Sequence, residues 1–118
     1  MKYRSVKVTK RGGPEALQVV ENDLRAPSAG EARIKVLATP VCGPDVQARY
    51  GQTPIAPKVP FVPGYAIIGN VDAMGDPKRS SGEGVSSVAV GDRVAALTVF
   101  GGYAEYITLS LDSTLGGI

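Results

Sequence analysis

The sequence contains no histidine and no tryptophan, and Cys42 is its single cysteine. One cysteine cannot form a disulfide within the chain. A tetrahedral zinc site needs three or four nitrogen, sulfur or oxygen ligands, which a lone thiolate with distant carboxylates does not supply. No imidazole is available to activate the thiol as a nucleophile. We therefore expect neither a zinc site nor covalent cysteine catalysis, and we expect Cys42 to be a small buried thiol.

Long apolar runs and a strong charge imbalance are also missing. No apolar run approaches 18 residues and no charged-then-apolar leader opens the chain, so neither membrane spanning nor export is predicted and a cytoplasmic location is expected. A formal charge of +2 is too small to favour nucleic acid binding. Five basic residues near the start are expected to form a solvated surface, with a patch for an anionic cofactor or partner as the alternative: Lys2, Arg4, Lys7, Lys10 and Arg11.

The length of 118 residues and the hydrophobic content of 43% predict one globular domain. A chain of this size buries roughly two-thirds of the surface that it exposes when unfolded. A stable core therefore needs no disulfide and no metal.

Alternation with a period of two predicts several short strands. The clearest pattern covers residues 31–38, where Ala32, Ile34, Val36 and Ala38 alternate with charged residues. Further strands are predicted at residues 1–10, 17–20, 66–74, 94–97 and 103–109, and one or two helical turns at 45–50. The turn signal Gly12-Gly13-Pro14 makes the second strand antiparallel to the first. Many short strands with hardly any helix predict a mainly β barrel or sandwich.

The segment 59–74 combines a proline-stiffened approach with an apolar strand. Pro60 and Pro63 fix the backbone and Gly64 permits a bend. Along the strand, one face is apolar and the other carries Asn70 and Asp72; the apolar face is formed by Ile67, Gly69, Val71 and Ala73. A glycine inside a strand indicates close approach of another backbone or a bulge, and we predict this at Gly69.

Three other segments are predicted to lack regular structure. Residues 52–63 carry prolines at a spacing of three and suit a structured, polyproline-like loop. Residues 75–87 are rich in glycine, serine and charge, which is typical of a flexible loop. Residues 110–118 carry little signal of any kind.

Five motifs in order give the chain a resemblance to a known family. They are GGPEAL at 12–17, Cys42-Gly43-Pro44-Asp45, VPFVPGY at 59–65, VAVGDRV at 88–94 and GGYAEY at 101–106. Together they resemble the N-terminal catalytic domain of the medium-chain dehydrogenase/reductase superfamily, and more narrowly its zinc-independent quinone oxidoreductase branch. The resemblance implies a GroES-like, partly open β-barrel with one or two short helices.

The resemblance also implies a chemistry. Zinc-dependent relatives carry Gly-His-Glu where this chain has Gly64-Tyr65-Ala66, so the likeness implies no zinc and hydride transfer from NADPH to a quinone or enone-like carbonyl compound. The candidate substrate pocket consists of Cys42, Asp45, Gln47, Tyr50, Tyr65 and Tyr103. A family-type contact with the nicotinamide edge would fall at Cys42 and Asp45. Asp45 could instead cap the short helix, and the tyrosines could serve packing alone.

No unit of strand, glycine-rich turn and helix follows in this chain, and the nearest imitation, Gly82-Glu83-Gly84, lacks the third glycine. We therefore expect residues 1–118 to be a substrate-side domain, truncated, excised or engineered from a larger oxidoreductase. Without its Rossmann partner domain it should bind no NADPH and show no activity. The alternatives are a stand-alone assembly barrel, whose candidate loop at 22–30 offers only Leu24 as an apolar anchor, and self-association through exposed barrel surface.

Overall fold

The structure, a computed structural model, describes residues 1–76 and 88–111 with their side chains and residues 115–117 by their backbone. The described strands are β1 (Lys2–Val8), β2 (Leu17–Asp23), β3 (Glu31–Ala38), β4 (Ala66–Met74), β5 (Arg93–Leu97), β6 (Tyr106–Ser110) and β7 (Leu115–Gly117). A short 3-10 helix spans Pro14–Ala16, and one α-helix, α1, spans Gly43–Tyr50. Apart from residues 75 and 76, the predicted flexible loop at 75–87 lies outside the described residues.

The strands form two antiparallel sheets that are joined without closing. β1 pairs with β2, and a five-stranded sheet has the order β6-β3-β4-β5-β7. Two isolated bridges connect the sheets, Ser5 with Ala104 and Val8 with Phe61. This arrangement confirms the expected mainly β, partly open barrel. The described part of the chain contains no helix that is both long and apolar enough to cross a membrane.

The main core lies against the inner face of the five-stranded sheet. Most of it is formed by the inward-pointing side chains of the strands. Its buried members are Ala32, Ile34, Ile67, Val71, Val94, Ala96 and Leu111. A smaller cluster of Val8, Ala48 and Phe61 packs α1 against the start of the barrel. The inward faces predicted for β3 and β4 are therefore confirmed with two exceptions. Ala38 is exposed, and Ala73 lies opposite Arg33 on the outer face, because the register shifts between Arg33 and Ile34 and brings Met74 opposite the buried Ala32. The register shifts between Val36 and Ala38, and such a bulge turns the end of β3 away from the core.

Two glycines allow the close approaches on which β4 depends. Gly64 has φ +126°, and a Cβ there would collide with the backbone of Gly102. At Gly69 a Cβ would collide with the carbonyl oxygen of Lys35 on β3. The bend at Gly64 and the close backbone approach at Gly69 are both confirmed.

Several predicted boundaries differ from the structure. β1 ends at Val8 rather than at residue 10, and β2 continues to Asp23 rather than ending at residue 20, so it includes the first two residues of the predicted loop at 22–30. β6 begins at Tyr106 rather than at residue 103, because residues 101–104 form a turn in which Gly101 has φ +100° and the Tyr103 N–H donates to the Pro63 carbonyl at 2.9 Å. The tail, which carries little sequence signal, contains β7. This strand pairs with β5, Leu115 opposite Ala96 and Gly117 opposite Val94.

Candidate active site

The centre of the candidate site is Asp45, in the first turn of α1. Asp45 is only 4% exposed to solvent. Oδ2 accepts a hydrogen bond from the Cys42 N–H at 3.0 Å, and Oδ1 accepts one from the Gly64 N–H at 3.1 Å. The Tyr103 hydroxyl donates to Oδ2 at 3.2 Å. One carboxylate therefore joins the start of α1, the turn before β4 and the turn before β6.

The hydroxyl of Tyr103 is held in its protonated form. Burial, together with the negative charge of Asp45 and the hydrogen bond to it, raises the pKa of Tyr103 to about 12. The single O–H hydrogen is donated to Asp45. In this arrangement the Tyr103 oxygen can offer lone pairs to a ligand, whereas its hydrogen is already engaged.

Cys42 is a half-buried free thiol at the residue that precedes α1. Its backbone N–H is satisfied by Asp45, which fixes the thiol beside the helix start. Within the described residues, no three His, Cys, Asp or Glu side chains lie close enough together to hold a metal ion. The nearest carboxylate, Asp45, already accepts three hydrogen bonds. The described residues around Cys42 therefore do not supply the ligands of a tetrahedral zinc site.

Tyr65 lies next to α1 and is half-buried. Together with Pro44, Ala48 and Phe100 it lines a small cavity of about 20 Å³. Its carbonyl accepts hydrogen bonds from the N–H groups of Thr98 and Val99 at 2.8 and 3.0 Å, which anchor it to the end of β5. Tyr65 therefore lies beside α1, whereas Asp45 and its partners Cys42 and Tyr103 lie at the start of the helix.

Gln47 and Tyr50 lie on the outer side of the same helix. Asp45 and Ala48 form its buried face, whereas Gln47 and Tyr50 are exposed. The guanidinium of Arg49 lies 5.3 Å from the Tyr50 ring centre, a cation–π contact at the surface. These two predicted pocket residues are therefore not gathered with the other four.

The basic residues near the start of the chain are largely engaged within it. Lys2 pairs with Asp23 at 2.7 Å, and Arg4 pairs with Glu105 at 3.2 Å. Arg11 donates to the carbonyls of Ala48 and Pro57 at 2.8 and 2.6 Å. The surface therefore offers less unpaired positive charge to an anionic partner than the sequence suggests.

The described residues do not fit the phosphates of a dinucleotide. Such phosphates bind at helix N-termini, where unpaired N–H groups and the helix dipole attract negative charge. Among the described residues the only α-helix is α1, and the Asp45 carboxylate already occupies its first turn. A pyrophosphate placed there would meet a negative charge.

An apolar cavity of about 370 Å³ lies beside the segment that leads into Cys42. It is lined by Pro40, by residues 66–68 of β4 and by residues 95–97 of β5. The lining contains no charged side chain, and the cavity is large enough for a small flat molecule. Cys42 follows Pro40 by two residues, but neither Cys42, Asp45 nor Tyr103 lines the cavity.

The sequence predicted the helix cap but not the rest of the Asp45 network. An acidic residue three positions after the residue that precedes a helix is a local signal for capping. The bonds from Gly64 and Tyr103 span 19 and 58 residues, and no local pattern announces them. The apolar cavity was also missed, since its lining consists of ordinary strand residues.

Comparison with known proteins shows which proteins this chain is similar to. The family model for the alcohol dehydrogenase GroES-like domain matches residues 28–115. The chain is 37% identical over 86 residues to an alcohol dehydrogenase of Moraxella sp. (strain TAE123), which covers 73% of this chain and 23% of the relative. It is 37% identical over 115 residues to the quinone oxidoreductase of Lama guanicoe, which covers 95% of this chain and 32% of the relative.

Solved structures give the same picture. Human synaptic vesicle membrane protein VAT-1 homolog-like superimposes with a TM-score of 0.85 at 29% identity, over 100% of this chain and 36% of that one. Escherichia coli quinone oxidoreductase complexed with NADPH superimposes with a TM-score of 0.80 at 27% identity, over 98% of this chain and 33% of that one. The chain thus spans between 23% and 32% of the length of the two curated relatives above.

Proposed function

Because the chain belongs to the family of alcohol dehydrogenase GroES-like domains, we propose that it is the substrate-side domain of an NADPH-dependent oxidoreductase. The reaction assigned to the whole enzyme is hydride transfer to a quinone or an enone-like carbonyl compound. The observation that carries this proposal is the similarity, over nearly the whole chain, to quinone oxidoreductases, one of them complexed with NADPH. NADPH supplies the hydride in such chemistry, and the task left to this chain is to bind and orient the carbonyl compound.

The proposed chemistry uses no zinc. Tyr65 and Ala66 offer a phenol and a methyl group in place of an imidazole and a carboxylate, and neither suits Zn²⁺. The Asp45 carboxylate is buried and hydrogen-bonded by three donors, so recruiting it as a ligand would break the cluster. The donor set around Cys42 therefore supports a metal-free mechanism.

We propose that the substrate binds in the apolar cavity beside Pro40. A quinone or enone is flat and largely apolar, and its ring suits the lining of Pro40, Ala66 and Ile68. Cys42 and Tyr65 stay the proposed contacts for the carbonyl end, although neither of them lines this cavity. Asp45 acts as a positioning residue, because its hydrogen bonds fix the backbone of Cys42 and Gly64.

We assign NADPH binding to a Rossmann domain of the whole enzyme, since α1 does not fit a pyrophosphate. Residues 1–118 are proposed as one domain of this enzyme, with 75–87 as its loop. A cytoplasmic location stays a prediction.

Calorimetry with NADPH tests the division of labour. We expect no detectable heat of binding for the 118-residue chain, and binding after fusion to the remaining two-thirds of a quinone oxidoreductase such as that of Escherichia coli. The fusion should oxidise NADPH when a benzoquinone is added, and Tyr65→Phe should leave its NADPH affinity unchanged while altering the KM for the quinone. Tight NADPH binding by the isolated chain would overturn the proposal.

The structure gives little support to the alternative of a stand-alone assembly barrel. The Leu24 N–H donates to the Met1 carbonyl at 2.8 Å, and the Leu24 side chain is half-buried in a cleft. The Glu31 carboxylate accepts hydrogen bonds from Arg25 and from the Ser28 N–H at 3.0 and 2.8 Å. The loop at 22–30 is thus tied to the barrel and does not present Leu24 to a partner.

A further inference from the structure

A further cavity opens where β1 and β6 separate. The bridge between Ser5 and Ala104 joins the two sheets. Two residues further along each strand, Tyr3 and Tyr106 contact each other through their rings. Among the described residues no β-bridge joins these two tyrosines. The strands diverge there and leave a cleft of about 320 Å³. We call it the β1–β6 cleft; its lining includes Tyr3, Ser5, Asn22, Tyr106 and Thr108. None of the candidate active-site residues lines it.

The floor of the β1–β6 cleft is polar and uncharged. Ser5 is only 4% exposed, and its hydroxyl accepts a hydrogen bond from the Asn22 side-chain amide at 2.8 Å. Within the described residues, the Ser5 hydroxyl hydrogen has no acceptor and the Asn22 side-chain carbonyl has no donor. Thr108 adds a further hydroxyl to the lining. The floor thus offers adjacent unused donor and acceptor groups, which suits a ligand that can both donate and accept.

One wall of the cleft is aromatic. The rings of Tyr3 and Tyr106 have centres 6.1 Å apart at an angle of 73°, an edge-to-face arrangement. The Arg33 guanidinium lies 5.8 Å from the Tyr106 ring centre, a cation–π contact on this wall. A flat ring inserted beside this pair would gain edge-to-face contact in addition to apolar burial.

The charges at the rim of the cleft are already neutralised in pairs. Arg25 pairs with Glu31 at 3.0 Å, and Asp23 pairs with Lys2 at 2.7 Å. A charged ligand would meet no unpaired counterion among these four rim residues. The cleft therefore favours a neutral ligand.

From these features we propose that the β1–β6 cleft is a binding site for a small neutral aromatic amide. The amide would accept from the Ser5 hydroxyl and donate to the Asn22 carbonyl, while its ring packs against Tyr3 and Tyr106. A single ring with one amide group fits the volume, which lies near the lower limit for ligand pockets. This site is independent of the proposed oxidoreductase function, because it shares no residue with the candidate active site.

Titration of the 118-residue chain with benzamide, followed by heteronuclear NMR, tests the proposal. We expect saturable shifts of the Ser5, Asn22 and Thr108 backbone signals with a dissociation constant on the order of 1 mM, as for a fragment of this size. Benzoate, which is charged, and cyclohexanecarboxamide, which lacks the aromatic ring, should each bind at least tenfold more weakly. Shifts that are equal for the three compounds, or that fall outside the cleft, would overturn it.

Asn22→Leu is the informative variant, and Gln18→Leu is its matched control on the exposed part of the same strand. Asn22→Leu should weaken benzamide at least tenfold, whereas the control should leave it unchanged. Should Asn22→Leu fail to fold, Thr108→Val takes its place, with a loss of about threefold expected for one hydroxyl. Wild-type affinity in the folded Asn22→Leu or Thr108→Val variant contradicts the assignment.

Discussion

The carboxylate of Asp45 connects three separate segments of the chain through hydrogen bonds. Its oxygens accept from Cys42, Gly64 and Tyr103, which belong to three segments that are far apart in the sequence. Hydrogen bonds to a charged group contribute more to folding stability than those between neutral groups. Loss of the carboxylate would leave its buried donors without a hydrogen-bond acceptor. Asp45 therefore orders the candidate site even though it need not touch a substrate.

Asp45→Asn is expected to destabilise the chain. The amide retains one acceptor oxygen in place of two and adds an NH2 group that faces donors, so we expect a loss of about 2 kcal/mol in the free energy of unfolding. Urea denaturation measures it. Asp92→Asn is the matched control, because this exposed residue accepts a single bond from the Ala89 N–H at 2.9 Å and should cost less than about 0.5 kcal/mol. Equal losses for the two variants would contradict the proposed role of Asp45.

The raised pKa of Tyr103 predicts a loss of stability in strong alkali. In the unfolded chain a tyrosine ionises near pH 10. In the folded chain burial and Asp45 raise the pKa of Tyr103 to about 12. Between these values the folded state binds the extra proton, so stability falls as pH rises through this window and the contribution is fully present below it.

Tyr103→Phe isolates this effect, because phenylalanine carries no titratable proton. We expect a shallower fall in unfolding free energy from about pH 10 to about pH 12 in the variant than in the wild type. Denaturation at several pH values measures the slope. Tyr50→Phe, at an exposed tyrosine of α1, is the control and should keep the wild-type slope. Identical slopes for Tyr103→Phe and the wild type would show that Tyr103 does not couple to folding.

At the scale of elements, the structure follows the sequence wherever a pattern is local. The alternation at residues 31–38 and 66–74 predicted β3 and β4, because side chains on a strand point to alternate faces. β7 was not predicted, since three residues reading Leu-Gly-Gly carry no period and become a strand only through pairing with β5. The early start predicted for β6 was wrong because the glycine turn before it is fixed by bonds to residues 62–64.

The pairing of β3 with β4 depends on the absence of a side chain at Gly69. A Cβ there would collide with the Lys35 carbonyl and lie 2.6 Å from Cγ2 of Ile34. Gly69→Ala is therefore expected to lower the free energy of unfolding by about 2 to 3 kcal/mol, in the range known for overpacking. Thermal or urea denaturation measures the loss.

Gly43→Ala provides the matched control in the first turn of α1. A Cβ at Gly43 meets nothing within 4 Å, and alanine favours a helix over glycine. This variant should be neutral or more stable by up to about 1 kcal/mol. A Gly69→Ala variant as stable as Gly43→Ala would show that the two strands can separate without cost.

At the scale of the whole molecule, the sequence predicted the class of fold, a partly open β-barrel, but not the cavities of the barrel. The five motifs from residue 12 to residue 106 indicated the fold through their joint resemblance to a known family, and the alternation of the strands indicated its mainly β class. The β1–β6 cleft and the apolar cavity depend on where strands diverge, and no residue type marks that point. Four of the six predicted pocket residues gather around α1, whereas Gln47 and Tyr50 face outward, since the one-turn periodicity of a short helix does not say which face is buried.

β4 and β5 carry an apolar outer face through which isolated chains can associate. The register places Ala66 opposite Leu97 and Ile68 opposite Ala95, so all four side chains share one face of the sheet. The same four residues line the apolar cavity proposed for the substrate, so association through this face would cover that cavity. Ile68 is 43% exposed and Leu97 is 54% exposed. A contiguous apolar surface favours association, and a second copy of this chain offers the same surface by two-fold symmetry.

We therefore predict that the isolated 118-residue chain self-associates through this outer face. Light scattering should show an average mass that rises with concentration above that of the 12.2 kDa monomer. Ile68→Thr retains the preference for a strand while removing apolar surface, and it should weaken association at least tenfold. Val90→Thr makes the same kind of change at an exposed residue of the turn before β5 and should leave association unchanged. A wild-type chain that stays monomeric at every concentration rules the association out, and equal effects of the two substitutions place it on another surface.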